Sequence, residues 1–171
     1  MLSESEIYLT VLRLSSLAAL PDSLTFSLAR PAQGSRGSMD PVAPLVLVVD
    51  DSPDARLLYS EYLEHCGFRV LTAEDGEEAV RTAKNEWPAA IVMDLSMPRM
   101  DGWEAITRLR ADPMTADIPI VAVSAYAFGR EPQRARDAGA DMCLAKPCLP
   151  PQVARVVRAL IAAGSSARTA H

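Results

Sequence analysis

From Leu45 onward the chain alternates short apolar runs with stretches of helical spacing, five times within about 120 residues, and few architectures accept that pattern. Leu45-Val46-Leu47-Val48-Val49 carries no polar residue at alternate positions, so it reads as a strand buried on both faces. Ser52-Pro53 supplies a favoured N-cap and first helical position, and the helix that follows runs to Gly67, a C-terminal stop. Phe68–Thr72 is a second strand and Gly76 to about Asn85 a second helix. Ala89–Met93 is a third strand, Gly102 to about Ala111 a third helix, and Ile118–Val123 a fourth strand. A short helix ends near Gly139, Met142–Ala145 is a fifth strand, and a last helix spans about Pro150 to Ala163. Val153, Val156, Val157, Leu160 and Ile161 share one face of that last helix.

Strands separated by helices predict an α/β fold, a parallel sheet covered on both faces and joined by right-handed crossovers. Five units predict a flavodoxin-like doubly wound sheet of five strands in the order 2-1-3-4-5. Ahead of it the composition changes. Residues 21–44 are rich in Pro, Ser, Gly and Ala, which is linker chemistry. Ser3 and Glu6 have capping-box spacing, and Ile7, Val11 and Leu14 recur at helical intervals. Residues 1–43 are therefore expected to be a disordered or partly helical extension, 44–164 one domain, and 165–171 a flexible tail. Met39 falls just before the regular pattern, and residues 1–38 read as an upstream extension of a frame that begins there.

Charge and cysteine content narrow the function. With 17 Lys+Arg against 22 Asp+Glu the chain lacks the basic excess of a nucleic-acid binder. No run approaches the ~20 apolar residues of a membrane span, and Glu4 and Glu6 stand where a signal peptide needs positive charge. A cytoplasmic protein without nucleic-acid or membrane partners is expected. Three cysteines, Cys66, Cys143 and Cys148, do not make a disulfide framework, and two histidines offer little for zinc; reduced, packed thiols are expected. Trp87 and Trp103 read as packing residues, and His65 as a surface residue near a helix end.

In a doubly wound sheet, sites form beyond the carboxyl ends of the strands, where the strand order reverses. Asp50 and Asp51 leave the first strand there, Asp94 the third, Ser124 the fourth and Lys146-Pro147 the fifth. Each alone has an ordinary reading as a cap, a turn residue or a solvated lysine. Ser52 already fills the cap position, however, and five such residues at one rim is more than capping needs. Three neighbouring carboxylates raise one another's pKa unless a cation intervenes, and all-oxygen ligation favours a hard ion such as Mg²⁺.

Val48-Val49-Asp50-Asp51, Met93-Asp94-Leu95-Ser96-Met97-Pro98 with Met100-Asp101-Gly102, Val123-Ser124-Ala125, and Gly139-Ala140-Asp141 leading to Lys146-Pro147 together resemble the receiver domain of two-component response regulators. The resemblance covers residues 44–164 and implies the single-domain type, since no output domain follows. It implies Asp94 as phospho-acceptor, with Mg²⁺ (Mn²⁺ substituting) held by Asp50, Asp51, Asp94 and the backbone carbonyl of Ser96. Lys146 and Ser124 would pair with phosphoryl oxygens, and the Lys146–Pro147 bond would be cis. The implied partners are a histidine kinase or histidine phosphotransfer protein and an unknown downstream protein target. Three positions depart from the pattern or set its rate: Cys143 replaces the usual Tyr or Phe, Ala145 lacks a common hydroxyl, and Tyr126 is expected to slow phosphoryl loss. Two other readings are a Mg²⁺-dependent phosphohydrolase, for which the connections leave no cap insertion, and a degenerate receiver, whose signature would be loss of Asp94, Lys146 or the acidic pair.

Overall fold

Period-two alternation divides each central strand between two cores. In the computed structural model, which describes residues 43–125 and 131–169, five parallel strands form one sheet in the order β2-β1-β3-β4-β5. They are β1 (Leu45–Val49), β2 (Arg69–Ala73), β3 (Ala90–Asp94), β4 (Ile120–Ser124) and β5 (Met142–Ala145). Leu47, Val49, Ile91, Met93, Ile120 and Ala122 face one core, and Val46, Val48, Ala90, Val92, Val121 and Val123 face the other. The helices are α1 (Pro53–His65), α2 (Gly76–Glu86), α3 (Gly102–Ala111), α4 (Glu131–Ala138) and α5 (Pro150–Thr169). Ala79 and Ala83 of α2, Ala105, Ile106 and Leu109 of α3, and Ala135 of α4 close the first core. Tyr59 and Leu63 of α1 with Val153, Ala154 and Val157 of α5 close the second. Complete burial of a Val, Leu or Ile contributes about 1.5–3 kcal/mol, so these two layers, rather than helix propensity, hold the elements in place.

The expected punctuation is present. Gly67 (φ 88°) follows α1 with its N–H on the Glu64 carbonyl, while the Phe68 N–H reaches Leu63. Gly139 (φ 106°) does the same after α4, with Gly139 on Arg136 and Ala140 on Ala135. Both pairs are the crossed hydrogen bonds of a left-handed helix stop, which only glycine adopts without steric cost. Ser52, Asp75 and Asp101 cap α1, α2 and α3 through their side chains.

Several boundaries differ from the sequence expectation. Strands β2, β3 and β4 each reach one residue further, to Ala73, Asp94 and Ser124, because ladder pairing continues to that residue. Strand β4 starts at Ile120 rather than Ile118, since Pro119 has no N–H and Ile118 donates instead to Thr115 in the preceding turn. Helix α5 continues to Thr169 rather than ending near Ala163. Trp87 is not a packing residue: it caps α2 in a left-handed conformation (φ 48°), donates its indole N–H to the Lys84 carbonyl, and is 63% exposed. Trp103 does pack, half-buried on the first core with the Arg134 guanidinium 4.9 Å above its ring. His65 is exposed in the last turn of α1 as expected. Among the described residues no helix is long and apolar enough to cross a membrane. Tyr126, His171 and the expected extension ahead of Ala43 lie outside the described residues.

Candidate functional site

The strand order reverses between β1 and β3, and the polar residues collect at the carboxyl end of that seam. Asp50 follows β1 directly and is buried; Asp94 is the last residue of β3 and is buried; Asp51 is exposed beside them. Ligand oxygens of all three carboxylates lie within 4.8 Å of one another. Lys146, one residue past β5, places its Nζ 2.9 Å from Asp50 Oδ2 and 2.9 Å from Asp94 Oδ2. Ser124 ends β4, is buried, and its carbonyl accepts the Lys146 N–H at 2.8 Å. The Lys146–Pro147 bond is cis.

Each buried carboxylate is aimed by two different donors. The Ser52 N–H donates to Asp50 Oδ1 at 2.9 Å and the Ser96 N–H to Asp94 Oδ1 at 3.2 Å, local turns that leave the second oxygen of each acid for Lys146. Arg56, one turn into α1, donates from one guanidinium nitrogen to the carbonyls of Asp50 at 2.7 Å and Asp51 at 3.1 Å. The acidic loop is thus fixed by its backbone as well as by its side chains.

Burial pushes the Asp94 carboxyl above the usual carboxylate range; Lys146 and the Ser96 N–H pull it down only in part, and the charge of Asp50 adds to the rise. Burial works against the Lys146 ammonium too, but the two carboxylates outweigh it and hold the lysine above its usual value. The ammonium therefore stays charged, while the rim keeps more negative charge than it can neutralise. Clustered hard oxygen donors with surplus charge suit a divalent cation.

The loop after β3 is built around Asp94. Leu95, Met97 and Met100 are buried and anchor it. A Cβ at Gly102 would overlap the carbonyl oxygen of Asp94, so only glycine lets α3 start this close to the site. Arg99 takes a left-handed conformation (φ 67°) and pairs with Glu74, at 2.8 Å, and with Asp75. That latch joins the β3–α3 loop to the β2–α2 loop. Donation from the Glu78 N–H, followed by Arg99, holds the Asp75 carboxyl below its usual range.

Sequence reading placed Asp50, Asp51, Asp94, Ser124 and Lys146 at one rim, and all five are there. It missed Arg56 and the Arg99 latch. Arg56 lies close enough in sequence to have been a candidate; Arg99 and Asp75 are 24 residues apart, and no local signal pairs them. Cys143 sits on β5, half-buried against the first core, and Cys148 is buried against the second; neither they nor Cys66 form a disulfide.

A doubly wound sheet with three acids and a lysine at its switch point defines an α/β domain whose site suits a hard cation beside a small anion. Residues 46–158 match the family model described as the response regulator receiver domain, and the chain belongs to that family, which serves two-component signalling. The transcriptional regulatory protein PrrA of Mycobacterium tuberculosis is 43% identical over 126 residues, 73% of this chain and 53% of PrrA. The chain thus spans about half the length of that relative. Among solved structures, the receiver domain of sensor histidine kinase PA1611 from Pseudomonas aeruginosa, described with a magnesium ion coordinated in its active site cleft, is 31% identical with TM-score 0.66, covering 70% of this chain and 98% of that one. The chemotaxis response regulator CheY4 of Vibrio cholerae is 30% identical with TM-score 0.65, covering 69% and 98%.

Proposed function

We propose that this receiver accepts a phosphoryl group on Asp94 from a phosphohistidine of a histidine kinase or phosphotransfer protein, and signals to a downstream protein by the change in conformation that follows. The carrying observation is the single ammonium of Lys146 bridging Asp50 and Asp94 at 2.9 Å each, with Asp51 close by. Asp50, Asp51, Asp94 and the Ser96 carbonyl would hold Mg²⁺, or Mn²⁺ in its place. Bound there, the ion would offset the charge of the acids and of the approaching phosphoryl group.

An oxygen of Asp94 attacks phosphorus in line; the P–O bond forms as the P–N bond to the donor imidazole breaks, and the electron pair leaves with the imidazole, which is then protonated. Such a transfer needs position and charge neutralisation more than covalent help, and the double anchoring of Asp94 by Ser96 and Lys146 supplies the first. Lys146 exchanges a carboxylate partner for a phosphoryl oxygen, and Ser124 hydrogen-bonds another. The new dianion favours the arrangement of the β4–α4 connection that holds it. Later, water attacks phosphorus and the acyl phosphate returns to Asp94 and inorganic phosphate. The bulk of Tyr126 slows that step, and the thiol of Cys143 replaces the inward-turning ring of related receivers with a weaker link to the output face. A cytoplasmic setting fits a phosphohistidine donor.

Intact mass after incubation with acetyl phosphate and Mg²⁺ tests this reading. The wild type gains one phosphoryl group and Asp94→Asn gains none; an unmodified wild type, or a modified Asp94→Asn, refutes it. In the phosphorylated protein Tyr126→Ala shortens the phosphoryl half-life.

A further inference from the structure

Lys146 lies in the segment 146–149, where the chain leaves β5 and has not yet entered α5. Its aim depends on what fixes that turn. The Lys146 N–H is held by the Ser124 carbonyl, and Pro147 has no N–H to offer. Cys148 is the next anchor. Its carbonyl accepts from the Tyr59 hydroxyl at 3.1 Å, and its Sγ lies 3.0 Å from the same oxygen. A phenol has one proton: with that proton on the carbonyl, the thiol is the donor in the second contact, and burial of Cys148 favours its protonated form.

Tyr59 is suited to this task. It is 6% exposed, with its ring packed in the core under α1 and α5, so its hydroxyl has little freedom to move. It also stands one turn beyond Arg56, whose guanidinium holds the carbonyls of Asp50 and Asp51. One helix thus reaches both sides of the site, the acids through Arg56 and the lysine turn through Tyr59.

We propose that Tyr59 is a positioning residue for Lys146: its hydroxyl ties the Cys148 turn to α1 and so keeps the ammonium where it meets an incoming phosphoryl oxygen. The inference rests on the phosphoryl-acceptor reading above. A ligand set that depends on the acids alone would not sense this tether, whereas phosphoryl transfer would, since small misplacements of a charge-neutralising group slow such reactions.

The test compares Tyr59→Phe with wild type by three measurements: phosphorylation rate with acetyl phosphate, Mg²⁺ affinity by calorimetry, and amide exchange of a peptide covering 146–149. Loss of one buried hydrogen bond predicts phosphorylation about three- to tenfold slower, Mg²⁺ Kd within about twofold of wild type, and faster exchange confined to that turn. A wild-type rate overturns the proposal; so does a joint loss of Mg²⁺ affinity and of protection throughout the domain, which marks a merely structural tyrosine. Should Tyr59→Phe not fold, Cys148→Ala removes only the thiol contact. A slowing of about twofold with faster exchange confined to the turn then supports the tether, and faster exchange throughout the domain with loss of Mg²⁺ affinity overturns it. If wild-type protein takes up no phosphoryl group, the functional reading fails, while exchange in Tyr59→Phe still decides whether the hydroxyl holds the turn.

Discussion

At the carboxyl end of the sheet Lys146 sits among carboxylates; at the amino end Arg110 does something chemically similar with the opposite result. Arg110 donates to the carbonyls of Gly139, Ala116 and Ile118 and to the Asp141 carboxylate, each at 2.8 Å. Asp141 in turn accepts the Ile120 N–H at 2.7 Å. The arginine finds a partner for each nitrogen of its fork among part-buried carbonyls and Asp141, and it knits the entrances of β4 and β5 together. Lys146 faces two buried acids with a third nearby, so charge is left over and its partners are exchangeable. A planar fork suits closure, while a mobile point charge suits turnover. The two clusters differ in whether charge is left unneutralised.

Substitutions that collapse this contrast give the largest effects. Lys146→Met should slow phosphorylation by acetyl phosphate about 10²–10³-fold, the usual cost of removing one electrostatic stabiliser, without weakening Mg²⁺ binding. Equal losses of rate and Mg²⁺ affinity would mean that the lysine organises the acids rather than the phosphoryl group. Arg110→Ala is the converse. It should cost about 3 kcal/mol in urea unfolding by stranding three part-buried carbonyls, and leave the phosphorylation rate of folded protein within about twofold. Gly102→Ala lies between the two kinds, because the added methyl strikes the Asp94 carbonyl. About 1–3 kcal/mol of stability and part of the phosphorylation rate should go together, measured on the same sample.

The smallest effect is electrostatic. Burial raises the Asp94 carboxyl, so its ionised form penalises the folded state above the folded pKa, and the penalty is absent below the unfolded value near 3.9. In EDTA, Asp94→Asn should therefore melt higher than wild type at pH 7, with the gap closing as the pH falls toward about 4. Asp75 has the opposite sign: its depressed carboxyl stabilises above the unfolded value and that contribution is lost as acid protonates it. A gap that widens in acid would show that Asp94 is stabilised, not strained, by its setting.

Much of this was legible before any coordinates. Valine-rich runs without polar alternation require two covered faces, and Gly67 and Gly139 mark helix stops that only a left-handed residue provides. Once the strand order follows, the rim must collect Asp50, Asp51, Asp94, Ser124 and Lys146. Trp87 misled because aromatic size suggests burial, yet a helix-end indole finds its partner in a carbonyl and remains in solvent. The tethers stayed hidden for another reason. Tyr59 and Cys148 are 89 residues apart, Arg99 and Asp75 are 24 apart, and neither pair leaves a periodic trace.

What the sequence by itself determined was the alternation of elements, and through it the sheet order and the rim where charge gathers, because those follow from local hydrophobic period and chain connectivity. Only the tertiary structure decided how the charge is aimed. The bridging of Asp50 and Asp94 by Lys146 and the contact of Tyr59 with the Cys148 turn depend on distances of a few ångströms between segments far apart in the chain. Side-chain hydrogen bonding at that range is set by packing, which no local pattern encodes.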